Sequence, residues 1–192
     1  SNTAIGSLAL FSNQNGTLNT ATGSSALLRN SSGNYNTASG SDALNNNIAG
    51  ESNSATGYQA LFSYILSKNT STGAQSLYSN STGINNTASG YIALFRNTTG
   101  GYNAATGMEA LYSNTSGIGN TANGFESLFS NTTGNQNTAV GYNTLADAIS
   151  SSYNTVLGSN AGSGTIYFMG WNNTLIGANS IANASDIYNT IA

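Results

Sequence analysis

Acid–base chemistry in this chain would have to come from six carboxylates, because it has no histidine and no cysteine. Without imidazole or thiolate there is no triad-type nucleophile and base, and no ordinary zinc site. Two of the carboxylates, Glu109 and Glu126, are 17 residues apart, the spacing at which the whole chain repeats. If successive repeats stack as coils, the two lie about 5 Å apart, a separation that a retaining glycosidase pair uses. The pair could equally hold a hard cation, but Asp42 shares their position without an acidic neighbour, and no calcium-loop spacing occurs. Two exposed glutamates on a polar wall without a cleft are the plainer reading. The chain is therefore expected to be non-enzymatic, with no cofactor and no bound metal. Its three cations, Arg29, Lys68 and Arg96, cannot build the basic stripe that phosphate neutralisation requires, so nucleic acid is not an expected partner.

What must position any functional group is a repeat. Asn-Thr-Ala-x-Gly, with one or two substitutions, begins at Asn2, Asn19, Asn36, Asn53, Asn69, Asn86, Asn103, Asn120, Asn137, Asn154 and Asn173, with a further start at Asn189. The period is 17, apart from one coil of 16 and, at the C-terminal end, one of 19 and one of 16. Composition alone, with 5% charged residues and abundant Asn, Ser, Thr and Gly, would suggest disorder. Fixed positions at a fixed period predict instead a stacked solenoid, an all-β parallel structure of about 11 coils spanning residues 1–192 as a single domain.

Each position in the unit has a physical role. The fifth is Gly (Gly6, Gly23 and so on to Gly177), which implies positive φ or close approach between coils. The third is mostly Ala and so faces a narrow interior, and the ninth is Leu (Leu10, Leu27, Leu44 and onward), the apolar stack. A second Gly at the fifteenth follows turn-forming residues. The Ala-Leu segment reads either as a second strand or as one helical turn. The stacked Asn and Thr ladders read as hydrogen-bonding devices of the wall. The fourth position varies and turns apolar at Val140, Leu157 and Ile176. It lies on the face opposite the Ala and is expected to pack against copies of the chain, because a thin coil buries little area alone.

Aromatic residues are the better candidates for recognition. Tyr58, Tyr91, Phe125 and Tyr142 recur just after the first glycine, and a tyrosine there offers a ring and a hydroxyl to a sugar or protein. A corner-packing role is the alternative. Phe11, Phe62, Tyr78, Phe95, Tyr112 and Phe129 follow the Leu and read as packing. The pattern breaks between Gly158 and Asn173, where Tyr167, Phe168 and Trp171 belong either to a ligand-binding loop or to a cap of the roll. A smaller break, Tyr64-Ile65-Leu66, is either a contact patch or local repacking.

The motif Asn-Thr-Ala-x-Gly, shifting to Asn154-Thr155-Val156-Leu157-Gly158 and Asn173-Thr174-Leu175-Ile176-Gly177, resembles the head-domain repeats of trimeric autotransporter adhesins and related bacterial fibre-tip and phage tail-fibre proteins. Those heads use a strand motif of the form Asn-Ser-Val-Ala-Ile-Gly and shorter coils. The resemblance covers essentially the whole chain. It implies a left-handed parallel β-roll assembled as a homotrimer and carried on a stalk at a cell surface, in which this segment is part of a longer fibrous protein.

The expected function is a surface adhesin or fibre-tip head that attaches to glycans or proteins on another cell. A virus or phage tail-fibre segment is the runner-up. A third reading is ice binding through regular Thr ladders, with Thr beside Asn and a varying fourth position, rather than a Thr-x-Thr array, counting against it. No apolar run is long enough to span a membrane, so direct insertion by this segment is not expected, and the expected location is extracellular, on a cell or a virion fibre.

Overall fold

The structure is a computed structural model and describes residues 1–63, 66–164 and 170–180. The repeat forms a parallel β-solenoid with no helix among the described residues. Each coil contributes one three-residue strand, from β1 (Thr3–Ile5) to β11 (Thr174–Ile176), and the 11 strands pair in chain order in one parallel sheet. Register is strict: Ala21 lies between Ala4 and Ala38, and Leu175 pairs with Val156. Within a strand the middle residue is buried and its two neighbours face out, as period-two alternation requires. The core is a thin stack of Ala from the third and eighth positions and Leu from the ninth, all buried from Ala21 to Leu145.

The Ala-Leu segment is neither a strand nor a helical turn. In the coil of residues 103–119, Ala110 N donates to Gly107 O (3.3 Å), Tyr112 N to Glu109 O (3.2 Å) and Asn114 N to Leu111 O (3.2 Å), a run of overlapping four-residue turns. The N–H groups between them reach the next coil, Leu111 N to Ser127 O (2.9 Å) and Ser113 N to Phe129 O (3.0 Å). Two such turns have a left-handed third residue, Glu109 (φ 61°) and Leu111 (φ 52°), the type II arrangement that usually takes glycine. The ninth-position leucines all sit at this φ, from Leu10 (53°) to Leu145 (52°). Left-handed backbone costs an L-residue about 1–2 kcal/mol. Leucine is kept there because its fully buried side chain is worth about 1.5–3 kcal/mol.

Two buried asparagine ladders close the coils. The first-position Asn donates to the fifteenth-position carbonyl of its own coil, as Asn86 Nδ2 does to Gly100 O (2.8 Å), while its Oδ1 accepts from the next coil, Asn103 N to Asn86 Oδ1 (3.0 Å). The twelfth-position Asn reaches the same carbonyl, Asn97 Nδ2 to Gly100 O (2.9 Å), and also the previous coil, Asn97 Nδ2 to Asn80 Oδ1 (2.6 Å). A side chain at the fifteenth position has no room: a Cβ on Gly100 would meet Asn97 Oδ1 and Gly117 O, each at 2.5 Å. The fifth-position glycines are both left-handed and crowded, a Cβ on Gly23 (φ 133°) meeting Gly40 O at 2.5 Å.

These two constraints explain where the repeat departs from itself. Ala148 stands at the twelfth position of its coil and Ser151 at the fifteenth, so the coil that lacks the asparagine also lacks the glycine. In the 16-residue coil Leu66 O takes the glycine's place and accepts from Asn53 Nδ2 (2.9 Å), and Tyr64, at the Asn position, lies with Ile65 outside the described residues. The ladder stops at both breaks, leaving Asn47 Oδ1 and Asn131 Oδ1 buried without a partner. Replacing Ala148 by Asn alone should destabilise the protein, because Ser151 Cβ occupies the space of the new amide. Ala148→Asn with Ser151→Gly should satisfy Asn131 Oδ1 and raise stability above the parent by about 1 kcal/mol, read as a positive coupling in a double-mutant cycle of thermal melts.

Candidate functional site

With Ala, Leu and Asn consumed by the interior, function falls to the outward positions. The sixth position carries Tyr58, Ala74, Tyr91, Met108, Phe125 and Tyr142 in successive coils. Tyr58, Tyr91 and Tyr142 are 52%, 51% and 56% exposed, so none is a packed corner. Phe125 and Tyr142, in adjacent coils, stack at 5.2 Å with 12° between the planes. The structure therefore brings the three tyrosines onto one line along the rod.

The tenth-position aromatics form the more continuous array. Phe62, Tyr78, Phe95, Tyr112 and Phe129 stack with centroids 5.1, 5.2, 5.5 and 5.2 Å apart and planes within 11° of parallel. Each inner ring spends both faces on its neighbours, which is the packing role expected of these residues. Phe11, included in that expectation, is instead 72% exposed, because Leu28 and Asn45 hold the tenth position in the next two coils. The Arg96 guanidinium lies 5.2 Å from the centre of the Tyr112 ring. Such a stack offers ring edges outward, whereas a sugar needs a ring face.

Of the aromatic group in the broken coil, Tyr167 and Phe168 lie outside the described residues. Trp171 is 52% exposed and tilted against Tyr153, 6.1 Å away at 47°. It stands on the surface beside the seventeenth position of the preceding coil.

The strand face is a further outward surface. The second and fourth positions flank the inward Ala and point the same way, so Thr20-Ala21-Thr22 and Thr70-Ser71-Thr72 are Thr-x-Thr units, and Thr37-Ala38-Ser39, Ser54-Ala55-Thr56 and Thr87-Ala88-Ser89 are hydroxyl equivalents. The two full Thr-x-Thr units stand among strands whose fourth position varies, so the array is not a clean one. Hydroxyls flank the buried middle residue on both sides only in the five strands from Thr20 to Ser89; Ala105, Ala122 and Ala139 have Ala104, Asn123 and Val140 on one side. Hydroxyls recur at about 6.8 Å along a strand and about 4.8 Å between strands. Towards the C-terminal end the fourth position becomes Val140, Leu157 and Ile176, on the same face; Leu157 is exposed and Ile176 is 64% exposed.

Glu109 and Glu126 sit in register, with Glu109 N donating to Tyr91 O and Glu126 N to Met108 O, each at 3.1 Å. Partial burial, and secondarily the Glu109 charge, raises the Glu126 carboxyl above its ordinary range. No group of three or more metal-ligating side chains occurs among the described residues. Comparison with protein-family models, with curated proteins and with solved structures gives no match.

The raised Glu126 fixes a sign. Its ionised form is disfavoured by folding, a cost present above the folded-state pKa and relieved as pH falls through it. Glu126→Gln should therefore raise the melting temperature at neutral pH, and the difference from the parent should shrink in acid as the Glu126 carboxyl becomes protonated in both the folded and the unfolded chain.

Proposed function

We propose that this chain is a non-enzymatic adhesin or fibre-tip head, a left-handed β-roll that associates as a homotrimer outside the cell and attaches to glycans or proteins of another surface. The observation that carries this reading is the line of half-exposed Tyr58, Tyr91 and Tyr142 on an in-register rod. A tyrosine gives contact area at low entropic cost, and one group repeated along a stiff support adds weak contacts through effective concentration. The resemblance to autotransporter heads supports the same role, and a phage tail fibre is the same physics on a different carrier. Association is supported by the outward Val140, Leu157 and Ile176, an apolar stretch that a second and third copy would cover. Leu157→Asp should then convert the trimer to monomer in sedimentation equilibrium, while a parent protein that runs as a folded monomer at micromolar concentration would refute the assembly.

A specific observation also favours a second reading, ice binding. The outward Thr and Ser of five consecutive coils, from Thr20 to Ser89, make an in-register lattice of hydroxyls and methyls with no charge in it. One pair of measurements separates the two. The adhesin reading expects the parent to attach to cells, with no thermal hysteresis in the parent or in Thr72→Tyr. The ice reading expects hysteresis in the parent that this bulky side chain in mid-lattice abolishes.

A further inference from the structure

The line of sixth-position rings has a gap. Tyr58, Ala74 and Tyr91 follow one another in adjacent hydrogen-bonded coils, Gln75 N donating to Tyr58 O (2.8 Å) and Ile92 N to Ala74 O (3.0 Å). Where rings do occupy neighbouring coils at this position, Phe125 and Tyr142, they stack at 5.2 Å. Tyr58 and Tyr91 are two coils apart, about 10 Å, and the sixth position of the coil between them carries only the methyl group of Ala74. The next interval is different, since Met108 fills the coil between Tyr91 and Phe125.

We infer that Tyr58, Ala74 and Tyr91 form a slot one ring wide that takes a single neutral pyranose of a surface glycan, an inference that rests on the adhesin reading above. Width decides between a sugar and an aromatic guest. A flat ring contacting a tyrosine on each face at about 3.5–4 Å needs a slot of about 7–8 Å. A pyranose chair, with axial hydrogens on both faces, fills the larger gap and presents C–H groups to each tyrosine face. The floor is a methyl group, so the guest can sink between the rings. The edge of the slot is polar: Gln75 Nε2 donates to Gln59 Oε1 (3.0 Å), which leaves Gln59 Nε2 and Gln75 Oε1 to a ligand's hydroxyls. Charge sets the sugar class. No cation occupies the sixth or seventh position of any coil through residue 160, and the seventh carries Asp42, Glu109 and Glu126, so an acidic sugar is disfavoured.

The test uses the full chain and the methyl glycosides of glucose, galactose, mannose and N-acetylglucosamine, with saturation-transfer NMR for contact and calorimetry for affinity. Ala74→Tyr supplies the missing ring at a position where tyrosine already recurs, so it should melt no lower than the parent while binding of the preferred glycoside falls about tenfold or more. Tyr58→Ala and Tyr91→Ala should each weaken binding by about three- to tenfold, and Tyr35→Ala, at an exposed tyrosine away from the sixth position, should leave it unchanged. Binding retained in Ala74→Tyr, equal loss in Tyr35→Ala and Tyr58→Ala, or no glycoside bound by the parent would each overturn the slot. Cell attachment, measured on the same variants, tests the adhesin reading separately. If the parent attaches and Ala74→Tyr still does, the slot fails and the adhesin stands. If the parent binds the glycoside with the expected variant pattern but attaches to no cell, the slot stands and the adhesin fails.

Discussion

Everything in this molecule depends on how closely one coil lies on the next. Backbone meets backbone at the fifth and fifteenth positions with no room for a Cβ, and the carbonyl of the second glycine is gripped by two asparagine amides of its own coil. Each amide also bonds its counterpart in an adjacent coil, so a coil completes its hydrogen bonding only when flanked. An isolated repeat would leave these groups to water and bury almost none of its Ala and Leu, so nothing would offset the cost of ordering its backbone. The same closeness forces the tight run of left-handed turns through the leucines. Strain and core gain are there of similar size, so net stability comes from repetition rather than from any one coil.

That interior leaves three outward lines with different physics. The strand face is a regular lattice of Thr and Ser hydroxyls that ends in aliphatic side chains. The tenth position is an aromatic stack whose inner rings have spent their faces on one another. The sixth position is an interrupted line of exposed rings, and an interruption is what leaves ring faces open to a ligand. Irregularity in a repeat is thus chemically more informative than the repeat itself.

The coil stack was legible in the sequence because Gly, Ala and Leu at fixed positions admit few arrangements. Ala21 inward and Gly23 crowded follow from residue size alone, and both hold. The path of the Ala-Leu segment was not legible, since leucine has no preference for positive φ and only the surrounding hydrogen bonds impose it. The outward fourth position and its variation were legible, because alternation about the buried middle residue fixes the face of each residue in Thr20-Ala21-Thr22 and in the strands that follow. The dependence of the twelfth position on the fifteenth could not be read either, because the clash joining Asn97 to a Cβ on Gly100 exists only after the coil has closed. Of the candidate recognition residues, Tyr58, Tyr91 and Tyr142 are exposed as a ligand role requires, and Trp171 is on the surface.

The direction of the hydrogen bonds has a mechanical consequence. Strands pair in chain order, so the bonds between coils run along the rod, parallel to a force applied at its two ends. Tension in that direction does not shear all the bonds of an interface at once; it peels the terminal coil and passes the load to the next. Each coil of 17 residues that lets go yields roughly 50 Å of extended chain. A rod built this way lengthens in equal steps at a nearly constant force, a serial shock absorber in which the loss of an end coil leaves the rest of the stack in register.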